Sequence, residues 1–257
     1  MTSHHVSPHV NVMRFIGYTA LFLTPKPCQY DRFHAIFLSA HSKNIAFVRG
    51  PLKLLDQSCV RHGLEHVVLT DHASEARVSD AGVPTFASDL PRNLLQATTA
   101  AQANWMESDY SKDIDTVFVG ADCLVLRDFR PYLRPADFSI CTFRHRSLWI
   151  MNGFMHVPAH SRSRMIKLFR EVALGTRPLE AKTCDDMMSW ERVLAPRPKP
   201  LVGQHVRRRL NINFLDEPTW CGMPTSVRDK QKGALLLHFR GPRTKAMFFE
   251  WADRNIA

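Results

Sequence analysis

No Cys-x-x-Cys pair occurs in the 257 residues, although six cysteines are present: Cys28, Cys59, Cys123, Cys141, Cys184 and Cys221. Scattered in this way they offer neither a zinc-ligand spacing nor a disulfide framework, so they read as reduced thiols of a cytoplasmic protein. Long apolar runs are also missing. The longest early one, Phe15 to Leu23, is far shorter than the roughly 20 residues of a bilayer-spanning helix. It could serve as the core of a signal peptide, but a single Arg precedes it and Leu23-Thr-Pro-Lys-Pro27 is a poor cleavage site. A first core strand accounts for it better. There is no internal repeat and no low-complexity domain.

Acids are scarce in the second half. Residues 129–257 carry 11 Asp and Glu against 23 Lys and Arg, whereas residues 1–128 carry 13 against 11. The formal charge of +10 at pH 7 therefore belongs to the second half. Such a field attracts an anionic partner: nucleic acid, a phosphorylated glycan or a membrane surface. A merely solubilising basic surface is the alternative that charge alone leaves open. With 45% hydrophobic and 23% charged residues the composition is ordinary for a globular chain, long enough for one large α/β domain or two small ones.

Residues 1–12, with His4, His5 and His9, read as a flexible leader rather than a metal site. Arg14 to Phe22 reads as the first strand. Tyr30 to Ala40 and Leu52 to His62 read as helices, the second with Leu52, Leu55, Cys59 and Val60 on one face. Glu65 to Thr70 makes the second strand, ending at Asp71, and Leu94 to Met106 an Ala/Gln-rich helix. Thr116 to Val119 makes the third strand. This alternation predicts a parallel α/β sheet. Beyond Asp128 the pattern loosens. Phe138 to Phe143 and Trp149 to Val157 read as strands, the latter broken at Asn152-Gly153. Arg162 to Leu174 and Asp186 to Leu194 read as helices, the second stopped by Pro196. Ala195-Pro-Arg-Pro-Lys-Pro200 is a stiff connector, and Asn211 to Leu215 and Ala234 to Phe239 are late strands.

Two segments carry chemistry. Asp122 lies between the apolar runs Thr116 to Val119 and Cys123 to Leu126. An unpaired carboxylate is costly to bury there, so it caps a turn, pairs with a base or binds a metal at the carboxyl edge of the sheet. The second segment is Leu235-Leu-Leu-His-Phe-Arg-Gly-Pro-Arg-Thr-Lys245. Its strand delivers His238, and the turn after it brings Arg240, Arg243 and Lys245. An imidazole plus a carboxylate suits Mn²⁺ or a similar ion, and neighbouring cations would neutralise a departing diphosphate. A structural His followed by solvated basic residues is the other reading.

Taken together, these segments resemble the GT-A-fold, nucleotide-sugar-dependent glycosyltransferases, most closely the glycogenin-like group (family eight). That family has an Asp-x-Asp metal motif followed by a Leu-Val-Leu strand; here the stretch is Gly120-Ala121-Asp122-Cys123-Leu124-Val125-Leu126. His238-Phe239-Arg240-Gly241-Pro242-Arg243, with Lys245 beyond, is similar to its second metal element. Met151-Asn152-Gly153-Phe154-Met155 is similar to its donor-sugar strand, and Asp185-Asp186-Met187-Met188 to an Asp-Gln pair that opens a helix. The resemblance implies an α/β fold: a Rossmann-like, mostly parallel central sheet flanked by helices, with a smaller acceptor-side subdomain. Residues 13–128 would form the nucleotide-binding half and residues 129–257 the acceptor and donor-sugar half. Asp122 and His238 would hold Mn²⁺ (or Mg²⁺) against the diphosphate of the donor, expected to be a UDP-sugar, while Lys245 and Arg243 take up leaving-group charge. Tyr18, Thr19, Ala20, Asp71, Arg92, Gly153 and Gly241 would complete the donor site. Asn152 and Asp185 or Asp186 would bind sugar hydroxyls, although the acidic pair also suits a helix N-cap with a first-turn acid. Retention of anomeric configuration is implied, but no residue stands out as base or nucleophile. The departures are Gly120, where the first Asp of the motif is gone, and the absence of Lys or Arg between Arg92 and Lys112.

The basic half would face the acceptor. Arg144, Arg146, Arg162 and Arg164, with Arg207 and Arg208 in the run His205-Val-Arg-Arg-Arg-Leu210, could track a phosphate backbone beside Trp149 and Trp220 as stacking platforms. This favours a hexosyl- or pentosyltransferase acting on DNA that carries a hydroxylated base, as in phage DNA modification. An anionic surface glycan or lipid-linked acceptor is an equally compact reading. Loss of the carboxylate at position 120 supports a rival of another class, a non-catalytic nucleic-acid-binding protein on a degenerate transferase scaffold. A sugar-nucleotidyltransferase would carry a Gly-rich loop after the first strand, and Tyr18 to Gln29 contains no glycine. No obligate protein partner is inferred.

Overall fold

The structure is a computed structural model describing residues 14–18, 45–80, 82–91, 94–142, 149–176, 185–194, 202–239, 244 and 246–255. The leader, the helix expected over 30–40 and the connector at 195–200 lie outside them. Ten strands occur among the described residues: β1 Arg14–Tyr18, β2 Glu65–Asp71, β3 Thr85–Ser88, β4 Thr116–Gly120, β5 Cys123–Val125, β6 Phe138–Thr142, β7 Ile150–Val157, β8 Gly203–Arg207, β9 Leu210–Asp216 and β10 Leu236–His238. The helices are α1 Ile45–Arg61, α2 Glu75–Ser79, α3 Leu94–Glu107, α4 Arg162–Gly175, α5 Asp185–Leu194, α6 Glu217–Trp220 and α7 Phe248–Asn255.

Eight strands form one mixed sheet in the order β3-β2-β1-β4-β7-β6-β9-β8, and β5 and β10 pair separately. The first four strands run parallel, as do β6 and β9; β7 and β8 run against them. The α/β architecture with helices over a mostly parallel sheet matches expectation. Strand direction after β4 is the refinement, because apolar runs do not encode it. β4 is buried along its whole length, and its residues alternate between two cores. Phe118 packs with Trp105, Phe138, Phe169 and Trp190 beneath α3, α4 and α5. Val117 and Val119 pack with Leu55, Cys141, Phe154 and Trp220 on the other side.

The break expected at Asn152-Gly153 is a bulge rather than an end. Ile140 pairs with Met155, but the next residue, Cys141, pairs with Met151, so β7 spends three extra residues there. β7 keeps its ladder with β4 as far as Phe154, which opposes Val119. Residues 152–154 thus fall outside the β6 register, beside the carboxyl edge of β4.

Beyond β5 the chain is held by Asp128 and Arg130. The Arg130 guanidinium bonds both Asp128 oxygens at 2.9 Å and donates to the carbonyl of His62 after α1, also at 2.9 Å. The hydrogen bond from Arg130 holds the Asp128 carboxyl below its ordinary pKa. A depressed folded-state value contributes stability above the unfolded pKa of about 4, lost as pH falls through the folded value. Asp128→Asn should therefore flatten the acid-side slope of urea-unfolding stability below about pH 4. Identical slopes in the two proteins would show that this pair is not coupled to folding.

Candidate active site

Gly120 ends β4 at the carboxyl edge of the sheet, its backbone in register with Tyr18 of β1. The chain turns through Ala121 and Asp122 and leaves the main sheet as β5. There it meets β10 in an antiparallel ladder that pairs Cys123 with His238. The amide of Phe239 donates to the carbonyl of Asp122 at 2.8 Å, locking the register beside these two residues. Two segments far apart in sequence thus become neighbours. Asp122 Oδ1 lies 3.3 Å from His238 Nε2, with the Asp122 side chain 22% and the His238 side chain 11% exposed. The structure brings the two expected residues side by side.

Two glycines make room for this pair. A Cβ on Gly120 would lie 2.6 Å from Asp122 Oδ1, and one on Gly153 would lie 2.7 Å from His238 Nδ1 and 2.9 Å from its Cε1. The first neighbour is the end of a flexible side chain and can swing away. The second is a ring buried on its strand, so Gly153 is a packing requirement for the imidazole. Gly153→Ala should displace the ring, lower stability by about 1–3 kcal/mol and weaken metal binding. Unchanged metal affinity in calorimetry would remove Gly153 from the site.

Asn152, the neighbour of Gly153, donates from Nδ2 to Asp186 Oδ2 at 2.7 Å. Asp186 is 8% exposed in the first turn of α5, and Asp185 opens that helix. The bulge in β7 therefore joins the carboxylate–imidazole pair to the Asn152–Asp186 pair through consecutive residues. Asp186, one of the two expected sugar-binding acids, thus bonds Asn152. Asp71 ends β2 at the same sheet edge, where its Oδ1 accepts from the Ser74 amide at 2.7 Å. Thr19, Ala20, Arg92, Gly241, Arg243 and Lys245 lie outside the described residues.

Three thiols surround this centre. Cys123 Sγ lies 3.9 Å from the carbonyl of Gly153. Cys221 approaches the same glycine, and burial, reinforced by a hydrogen bond with Cys141, pushes its thiol well up. The four described cysteines are buried free thiols. Cys123 reads in the sequence as one more apolar position of β5, and the structure sets its thiol beside the pair. Asp122, Cys123 and His238 each offer a ligand atom, all within 4.8 Å of one another.

The proposed acceptor surface fares differently. Arg144 and Arg146 lie outside the described residues. Arg207 pairs with Leu210 across a two-residue turn, in which Arg208 and Arg209 take φ of 52° and 60°. That turn precedes β9, whereas the edge bearing Asp122 follows the parallel strands. The length of β9, about 20 Å, therefore separates them. Arg208 is engaged by Glu171 at 2.7 Å. Trp220 is 5% exposed with its ring 5.0 Å from Phe154, and Trp149 sits edge-on to Phe214 at 4.8 Å. Trp220 as a stacking platform is thus corrected: its faces are spent in the core, where apolar burial outweighs any advantage of exposure. Among the described residues no helix is long and apolar enough to cross a membrane.

No protein-family model matches the sequence. No functionally curated protein matches it significantly either. Its shape has clear counterparts among solved structures. The galactosyltransferase LgtC, in complex with donor and acceptor sugar analogues, superposes with a TM-score of 0.55 at 11% identity, over 95% of this chain and 97% of that one. A glycosyltransferase involved in glycosylating the major capsid of PBCV-1 gives 0.54 at 12%, over 92% and 99%. The apo glycosyltransferase GlyE of Streptococcus pneumoniae gives 0.51 at 12%, over 94% of this chain and 60% of that one. The chain has the fold of GT-A-like nucleotide-sugar glycosyltransferases.

Proposed function

We propose that the protein is a metal-dependent glycosyltransferase that takes a sugar from a nucleotide-diphosphate donor, a UDP-sugar in the first instance. The Asp122–His238 pair carries this reading. The two side chains meet at 3.3 Å beyond the carboxyl end of a central strand, on a fold that solved sugar transferases share. A carboxylate oxygen and an imidazole nitrogen facing one point are a donor set suited to a divalent cation. Bound there, the cation would neutralise the donor diphosphate and favour its departure. Asn152 and Asp186 would orient sugar hydroxyls, their mutual bond fixing both rotamers in advance. Lys245 and Arg243, beyond the His238 strand, would balance leaving-group charge.

The acceptor is proposed to be anionic, because residues 129–257 hold the excess of basic charge. An anionic glycan fits the neighbour bound to an acceptor sugar analogue. DNA bearing a hydroxylated base is the other class, and the position of Arg207 and Arg208 away from Asp122 weakens its case. Steeply salt-dependent binding of duplex DNA, with sugar transferred onto it, would reverse that order.

The deciding measurement is release of nucleoside diphosphate from a panel of nucleotide sugars, with and without divalent cations. Turnover that disappears with chelator is expected. Nucleic-acid binding without turnover of any donor would favour the non-catalytic alternative that Gly120 suggests.

A further inference from the structure

The position of the missing carboxylate has been built over. A Cβ on Gly120 would begin 2.6 Å from Asp122 Oδ1, 3.5 Å from Cys123 Sγ and 3.7 Å from His238 Nε2. Three donor atoms of different kinds therefore converge on the space that a side chain at 120 would enter. Their convergence follows from the ladder. Cys123 and His238 oppose each other across β5 and β10, and directly opposed residues project on the same face. Asp122 reaches that face from the turn before β5. A tetrahedral ion with ligands at about 2.1 Å separates them by about 3.4 Å, close to the 3.3 Å between Asp122 and His238.

We propose that Cys123 supplies the ligand Gly120 withholds, giving a carboxylate–thiolate–imidazole site that prefers a zinc-like ion to Mn²⁺ or Mg²⁺. This rests on the reading of Asp122 and His238 as the metal pair and changes its chemistry. Thiolate sulfur favours Zn²⁺ and Co²⁺, whereas Mg²⁺ and Mn²⁺ favour oxygen. As the sulfur–metal bond forms, the S–H proton passes to solvent. Burial of Cys123 at 0% exposure keeps the sulfur away from bulk oxidants and competing ligands.

Cobalt provides the test, because a thiolate bound to Co²⁺ gives an intense near-ultraviolet charge-transfer absorption. Full-length protein titrated with Co²⁺ should develop that band at one equivalent, and Zn²⁺ should abolish it at far lower concentration than Mn²⁺. Cys123→Ser should lose the band and bind Zn²⁺ at least about tenfold more weakly, with Mn²⁺ affinity little changed. Cys221→Ser should keep the band. Stoichiometric Co²⁺ binding without a band, or a band surviving in Cys123→Ser, overturns the thiolate while leaving an Asp122–His238 site intact. If Cys123→Ser does not fold, the presence or absence of the band in the wild-type spectrum decides the matter. Failure to bind Co²⁺, Zn²⁺ or Mn²⁺ at all, with UDP present, removes the metal reading itself.

Discussion

Asp122→Ala should cut donor turnover by about 10²–10³-fold, the scale seen when one preorganised charge-stabilising group is removed. Folding should survive, because Asp122 is part-exposed on a turn and its backbone bond to Phe239 does not involve the side chain. The asymmetry between activity and stability is the diagnostic. A structural turn cap would lose about 0.5–2 kcal/mol of stability with little effect on turnover. A metal ligand would leave the unfolding midpoint nearly unchanged and remove the metal-dependent rate. Asp122→Asn keeps the shape and loses the charge, so it should follow alanine in rate. Equal turnover by wild type and Asp122→Asn would sink the metal role.

Trp190→Ala is expected to have the largest effect on stability, about 3–5 kcal/mol. A typical domain has only about 5–15 kcal/mol in total. Trp190 is fully buried, stacked on Phe138 at 5.5 Å and edge-on to Phe169 at 4.7 Å. Those rings belong to β6 and α4, so one indole ties the helix bearing Asp186 to the sheet and to its neighbouring helix. Ser189 adds a second tie, donating to the Val172 carbonyl at 2.9 Å. The indole nitrogen has no hydrogen-bond partner among the described residues. Trp190→Phe should therefore cost less than half as much, because it removes an unsatisfied donor along with the volume. Urea unfolding of both variants measures this, and a loss below about 1 kcal/mol in the alanine protein would contradict the packing argument.

The first half of the molecule was legible because its elements are long and strongly patterned. β2, α3 and β4 begin where the apolar runs begin and end within a residue or so of where those runs stop. β3 was not visible, since Thr85–Ser88 is half-buried throughout and lacks alternation. β8 was read only as a run of cations. Its burial alternates along an edge strand, but Gln204, His205 and Arg207 mask the period. The site divides in the same way. Asp122 and His238 stood out as polar residues in apolar strands. Cys123 could not, because a cysteine in an apolar run looks like core until its cross-strand partner is known. Nor could the bond between Asn152 and Asp186, which depends on where the β7 bulge sets Asn152.

The ladder of β5 and β10 also imposes an order on assembly. The ribosome makes β10 after every described strand of the large sheet, so that sheet can form while His238 is still unsynthesised. A nascent chain ending before Leu236 would carry Asp122 beyond the end of β4, but no imidazole beside it. The carboxylate–imidazole pair would then come together only once β10 had zipped onto Cys123–Val125.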